Sequence, residues 1–225
     1  KDRLNKFKKN AQKLNLKFFR IDCVNGMNYT DSKINNIIKN NLIKNTYFIN
    51  QIEVSINISH INCWLKILNS SYDYGLICED DILFKNNFKK NMNLILNNLK
   101  DNNKIFDLLY LWNGNWWNTK TSLKNILKIN KDLIIKQETQ LFNAGAVCYI
   151  ISRNMILKLL NKILPIKNPI DIFIGTFYKN MKIYTLYNKK DISPLFKSGE
   201  WNDKFYYDDH DSQSTQDYEL KQLEV

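Results

Sequence analysis

Three consecutive carboxylates, Glu79, Asp80 and Asp81, follow directly on the apolar run Gly75-Leu76-Ile77-Cys78. Such a run reads as a buried strand, along which side chains alternate between faces. Alternation puts Glu79 and Asp81 on one face and Asp80 on the other. Like charges crowded at the end of a buried strand repel, and desolvation makes that costlier. A cation relieves both problems, and carboxylate oxygens suit Mg2+ or Mn2+. The chemistry that fits is a metal bridging the protein to a diphosphate. Asp81 is the first ligand, with Glu79 in the second coordination position or on a nucleotide ribose. A solvated acidic turn is the competing reading.

Four further groups could carry chemistry. His210, one of two histidines, lies in Tyr206-Tyr207-Asp208-Asp209-His210-Asp211. It is either a late metal ligand or phosphate donor, or an exposed histidine among acids, and Asp208, Asp209 and Asp211 could serve instead. His60 lies mid-helix with no nucleophile arranged beside it, which favours a packed structural histidine. Asp171 sits at a helix start, where a carboxylate complements the helix dipole. Equally, it could take a proton from an acceptor hydroxyl. Trp112, Trp116 and Trp117 place three of five tryptophans in one stretch. Sugar faces stack on such rings, so they are either an acceptor platform or loop rings folded onto the core.

The elements that must position these residues follow from periodicity. Leu4, Phe7, Ala11 and Leu14 share one face of a helix over residues 1–16. Residues 17–24 read as a strand ending at the turn Asn25-Gly26. Helices are expected over 31–44, 53–68, 87–99, 152–163 and 171–178. Strands are expected over 74–80, 106–112, 144–151 and 182–187, while 123–135 fits either a helix or two short strands. A helix that opens the chain and feeds a strand implies a further strand before it. Strands alternate with helices without a linker or repeat. This predicts one α/β domain over residues 1–225 with a mostly parallel sheet and a polar tail from about 203. Ligands in such sheets bind beyond the carboxyl ends of the strands. The loops at 25–26, 79–81 and 113–118 fall there.

Composition narrows the classes. The 225 residues are 44% hydrophobic and 13% aromatic, which is globular rather than disordered. The formal charge of +11 favours anionic partners. The lysines are dispersed and do not interleave with aromatics, which argues against nucleic acid. Cys23, Cys63, Cys78 and Cys148 lie singly in apolar surroundings and read as buried free thiols. No apolar run reaches the ~20 residues of a membrane helix.

Six segments, in order, resemble glycosyltransferase family 25. Residues 1–26 resemble the family opening, and 53–70 the helix carrying a Ser-His-xxx-Trp pattern, matched at Glu53, Ser59, His60 and Trp64. Residues 74–84, YGLICEDDILF, resemble the family's acidic signature, and 106–112 the strand that follows it. Residues 144–160 resemble its Gly-Tyr-x-Ile-Ser-Arg segment, and 169–175 its Pro-x-Asp stretch. The resemblance implies a GT-A type, Rossmann-like fold with a first strand missing before Lys1. It also implies a UDP-sugar donor, a divalent metal (Mn2+ most often) and inversion at the anomeric carbon. On that reading Asp171 is the base, and Glu79, Asp80 and Asp81 surround metal and UDP. Arg3, Asn25 and Gly26 lie near the nucleotide, and His210 is an extra ligand. The acceptor is a glycan or a hydroxylysine-containing chain. A glycoside hydrolase would need two carboxyls facing each other across a sugar, which neighbours on one strand do not offer. A degenerate or nucleic-acid-binding module is the remaining alternative.

Overall fold

The computed structural model describes residues 2–23, 49, 51–112, 126–130, 133–138, 145–188 and 195–197. In chain order its elements are α1 (Asp2–Lys13), α2 (Gln51–Leu68), β1 (Tyr74–Cys78), β2 (Leu83–Phe84), α3 (Phe88–Asp101) and β3 (Leu108–Tyr110). Then come β4 (Ile126–Lys128), β5 (Leu133–Gln137), β6 (Cys148–Ser152), α4 (Arg153–Ile163) and α5 (Ile170–Gly175). A 3-10 turn (Thr176–Lys179), β7 (Ile183–Asn188) and β8 (Phe196–Lys197) complete them.

Six strands form one sheet in the order β1-β6-β3-β7-β5-β4, and β2 pairs with β8 separately. Alternation sorts the sheet's side chains into two cores. Ile77, Tyr149, Leu108, Tyr110 and Ile183 meet Trp64 of α2, the apolar stripe of α4, and α5. Leu109, Leu111, Ile150 and Leu186 meet Phe7 and Ala11 of α1 and the buried stripe Phe88, Met92, Ile95, Leu99 of α3. Each fully buried side chain of this size contributes about 1.5–3 kcal/mol, so the two helix layers hold the sheet between them.

The sheet is mostly antiparallel, which corrects the parallel expectation. Among the described strands of this sheet only β3 and β7 pair in parallel; β1–β6, β6–β3, β7–β5 and β5–β4 are antiparallel. The strand–helix–strand unit β1-α3-β3 does run in one direction, as its pattern predicts, but β6 inserts between the two strands in the opposite direction. Periodicity reports element type and says nothing of which strand fills the gap. The ambiguous 123–135 stretch contains two short strands, β4 and β5. Asn130 Oδ1 accepts the Leu133 N–H (2.9 Å) and closes the turn between them.

Residues 16–23 form no strand. Phe18 and Phe19 are exposed, and no described strand pairs with this stretch, so its backbone has no ladder to join. The helix expected at 31–44 and the turn Asn25-Gly26 lie outside the described residues. Cys148 is buried as expected, but Cys63 and Cys78 are only half-buried and Cys23 is exposed. No described helix is long and apolar enough to cross a membrane.

Candidate functional site

Strands β1, β3 and β7 end at the same edge of the sheet, where β6 begins. Glu79 extends β1 by one ladder bond, its N–H donating to Val147 O (2.9 Å). Asp80 and Asp81 then turn away from the sheet. Alternation therefore places Glu79, but the turn, and not the strand period, sets Asp81. Asp80 faces α1, where Arg3 Nε lies 3.8 Å from its Oδ1 in an exposed ion pair. Helix α1 is anchored there by Asn10. Its amide donates to Phe84 O (3.1 Å) and accepts the Phe84 N–H (2.6 Å), which completes the edge of β2.

Asp81 is the unusual member. Its Oδ1 is buried and has no hydrogen-bond partner. Burial, then the Glu79 charge, push its carboxyl up from 3.8 to about 6, while Arg3 and a bond from its own backbone N–H pull it back in part. A buried acceptor without a partner is costly and calls for an explanation. The neighbouring Glu79 is treated differently. His60 Nε2 lies 3.7 Å from Glu79 Oε1, just beyond hydrogen-bond length.

His60 owes its position to α2. It and Trp64 are one turn apart and share a face. Both reach the fully buried Tyr149 hydroxyl, His60 Nδ1 at 2.7 Å and Trp64 Nε1 at 3.0 Å. Helix α2 packs so closely on β1 that a Cβ at Gly75 would overlap the Ile67 side chain. Its carboxyl end is capped by Arg153, whose guanidinium donates to Ile67 O, Leu68 O and Ser70 O at 3.0–3.1 Å. Ser152 caps α4 as its sequence position predicts, accepting the Met155 N–H (3.1 Å).

Asp171 lies in the first turn of α5, its Oδ1 accepting the Ile172 N–H (2.9 Å). It acts on Tyr110, whose hydroxyl is pushed well above its ordinary range by burial and then by Asp171 and Glu138. Trp112 is buried against Phe196, with ring centroids 6.3 Å apart, and is a core ring in this arrangement. Asn25, Gly26, Trp116, Trp117 and His210 lie outside the described residues, as do Asp208, Asp209 and Asp211. The structure thus brings together Arg3, Glu79, Asp80 and Asp81. Sequence reasoning treated His60 as packing alone and passed over Tyr149. The one-turn spacing of His60 and Trp64 was the signal that they share a partner.

Among the described residues no three His, Cys, Asp or Glu side chains form a ready metal cage. The orphaned Asp81 oxygen nevertheless fits one ligand of a divalent cation, with Glu79 as the second. Such cations are commonly held by one or two carboxylates, with substrate phosphates completing the shell. No curated protein matches the chain closely enough to count as a relative. The sequence model described as Glycosyltransferase family 25 (LPS biosynthesis protein) matches residues 1–174, from α1 through most of α5. That span covers all four clustered residues and Asp171, and the chain belongs to glycosyltransferase family 25.

Proposed function

We propose that this protein is an inverting glycosyltransferase of GT-A type that moves a hexose from a UDP-sugar to a hydroxyl acceptor with a divalent metal, Mn2+ or Mg2+. The observation that carries this reading is the buried, unpartnered Asp81 Oδ1 at the carboxyl end of β1, beside Glu79. Family membership supports the transferase chemistry, and the family's description as LPS biosynthesis favours a glycan acceptor over hydroxylysine.

In the proposed reaction Asp171 takes the proton of the acceptor hydroxyl. The acceptor oxygen attacks the anomeric carbon from the face opposite the diphosphate, and the bond to UDP breaks with the electron pair leaving on its phosphate oxygen. A bound divalent cation would supply the charge that the departing diphosphate needs. Asp81 and Glu79 would hold that cation, and Arg3 adds positive charge at the same strand end. Accepting the acceptor's proton at Asp171 is the protein's own contribution.

The test is a turnover screen across UDP-sugars, with and without chelator. One UDP-sugar should be consumed in a chelator-sensitive way. Turnover of none, together with thermal stabilisation by oligonucleotide, would sink the proposal.

A further inference from the structure

We infer that His60 is a positioning residue, held in one tautomer by Tyr149 and Trp64 so that its Nε2–H orients the Glu79 carboxylate toward the donor. The inference rests on the reading of Glu79 as a donor-binding residue. The argument is one of donors and acceptors. The indole of Trp64 can only donate, so its bond to the Tyr149 oxygen uses an acceptor site there. Tyr149 is wholly buried, and its one hydroxyl hydrogen needs an acceptor. His60 Nδ1, at 2.7 Å, supplies it. With Nδ1 accepting, the proton of the neutral ring sits on Nε2, the nitrogen that lies 3.7 Å from Glu79 Oε1.

The chain of donation therefore runs Trp64 to Tyr149 to His60 and leaves the His60 Nε2–H facing Glu79 Oε1 at 3.7 Å. His60 is 5% exposed, and the Tyr149 bond at Nδ1 fixes which ring nitrogen faces Glu79. Glu79 is fixed at its backbone by Val147 and drawn at one carboxylate oxygen by His60, which leaves the other oxygen for a ligand. Outer partners of this kind set the orientation and basicity of a ligating group. His60 and Trp64 come from one face of α2 and Tyr149 from the distant strand β6, and the three meet beside Glu79, which directly follows β1.

The test separates orientation from packing. An Asn side chain places its amide oxygen where Nδ1 stood, so His60→Asn keeps the Tyr149 bond and loses the donor to Glu79. His60→Gln reaches the Nε2 position and keeps a donor there. Two histidines make 15N-histidine NMR readable, with the His60→Asn spectrum assigning His60 by difference. The wild-type ring should carry its proton on Nε2. His60→Asn should melt as the wild type does yet bind UDP with Mn2+ roughly tenfold or more weakly, and His60→Gln should retain most of the affinity. A proton on Nδ1, or wild-type affinity in His60→Asn, overturns the inference. Failure of the wild type itself to bind UDP with Mn2+ overturns the donor reading instead; a proton on Nε2 then still supports the relay.

Discussion

Two strand ends of this sheet bury carboxylates, and they do so in opposite ways. At the end of β5, Glu138 is buried and complete. Lys136 Nζ donates to its Oε2 (3.2 Å) and the Tyr187 hydroxyl to its Oε1 (3.2 Å). At the end of β1, Asp81 is half-buried with its Oδ1 buried and unpartnered, and Glu79 raises its proton affinity rather than offsetting its charge. A carboxylate buried for the fold's own sake is given a cation and a hydroxyl. One left without either fits a group that arrives with the ligand.

The largest effect expected from that contrast is on activity. Asp81→Ala should abolish sugar transfer in a turnover assay while circular dichroism and melting temperature show the fold intact. Retained turnover would show that the metal assignment is wrong.

The Glu138 site should respond in stability. Glu138→Leu leaves Lys136 charged and buried, and should cost about 3–5 kcal/mol in denaturant unfolding. Replacing both, Lys136→Met with Glu138→Leu, should recover most of the loss, because an apolar pair needs no compensation. If the single variant is as stable as the wild type, the two ends do not differ as claimed.

Asp171→Asn should lower turnover roughly 10²–10⁴-fold, the usual share of a positioned base, with little change in UDP affinity. Loss of UDP binding in that variant would remove Asp171 from the base role.

The smallest effect is one of pH. Folded Asp81 holds its proton more tightly than the unfolded chain does, so the metal-free fold binds more protons between pH 3.8 and about 6. Its stabilising contribution is present below that window and is lost as pH rises through it. At neutral pH, Asp81→Asn should therefore melt ~2–4 °C above the metal-free wild type, equivalent to about 1 kcal/mol in a chain of this size. An unchanged or lower melting temperature would show that burial beside Glu79 does not raise the Asp81 carboxyl.

Much of this architecture was legible in the sequence because it depends on local period. The stripe Phe88, Met92, Ile95, Leu99 marks α3, and Ser152 marks the start of α4. The β1 run located the acidic edge. What was not legible depends on pairing across the chain. Nothing local to residues 148–152 says that β6 slots between β1 and β3 in reverse, and nothing local to Glu138 says that Tyr187 will reach it. The site divides in the same way. Glu79 was placed by alternation, whereas the turn sets Asp80 and Asp81, and the role of His60 needed the Tyr149 hydroxyl from another strand.

The central claim is that the end of β1 holds a metal-bound nucleotide diphosphate through Asp81. Calorimetric titration of UDP into the wild type and Asp81→Asn, with Mn2+ and then with chelator, tests it most directly. The account predicts wild-type binding that requires Mn2+, disappears with chelator, and weakens at least about tenfold in the variant. Equal affinity in the two proteins, or binding indifferent to chelator, would contradict it.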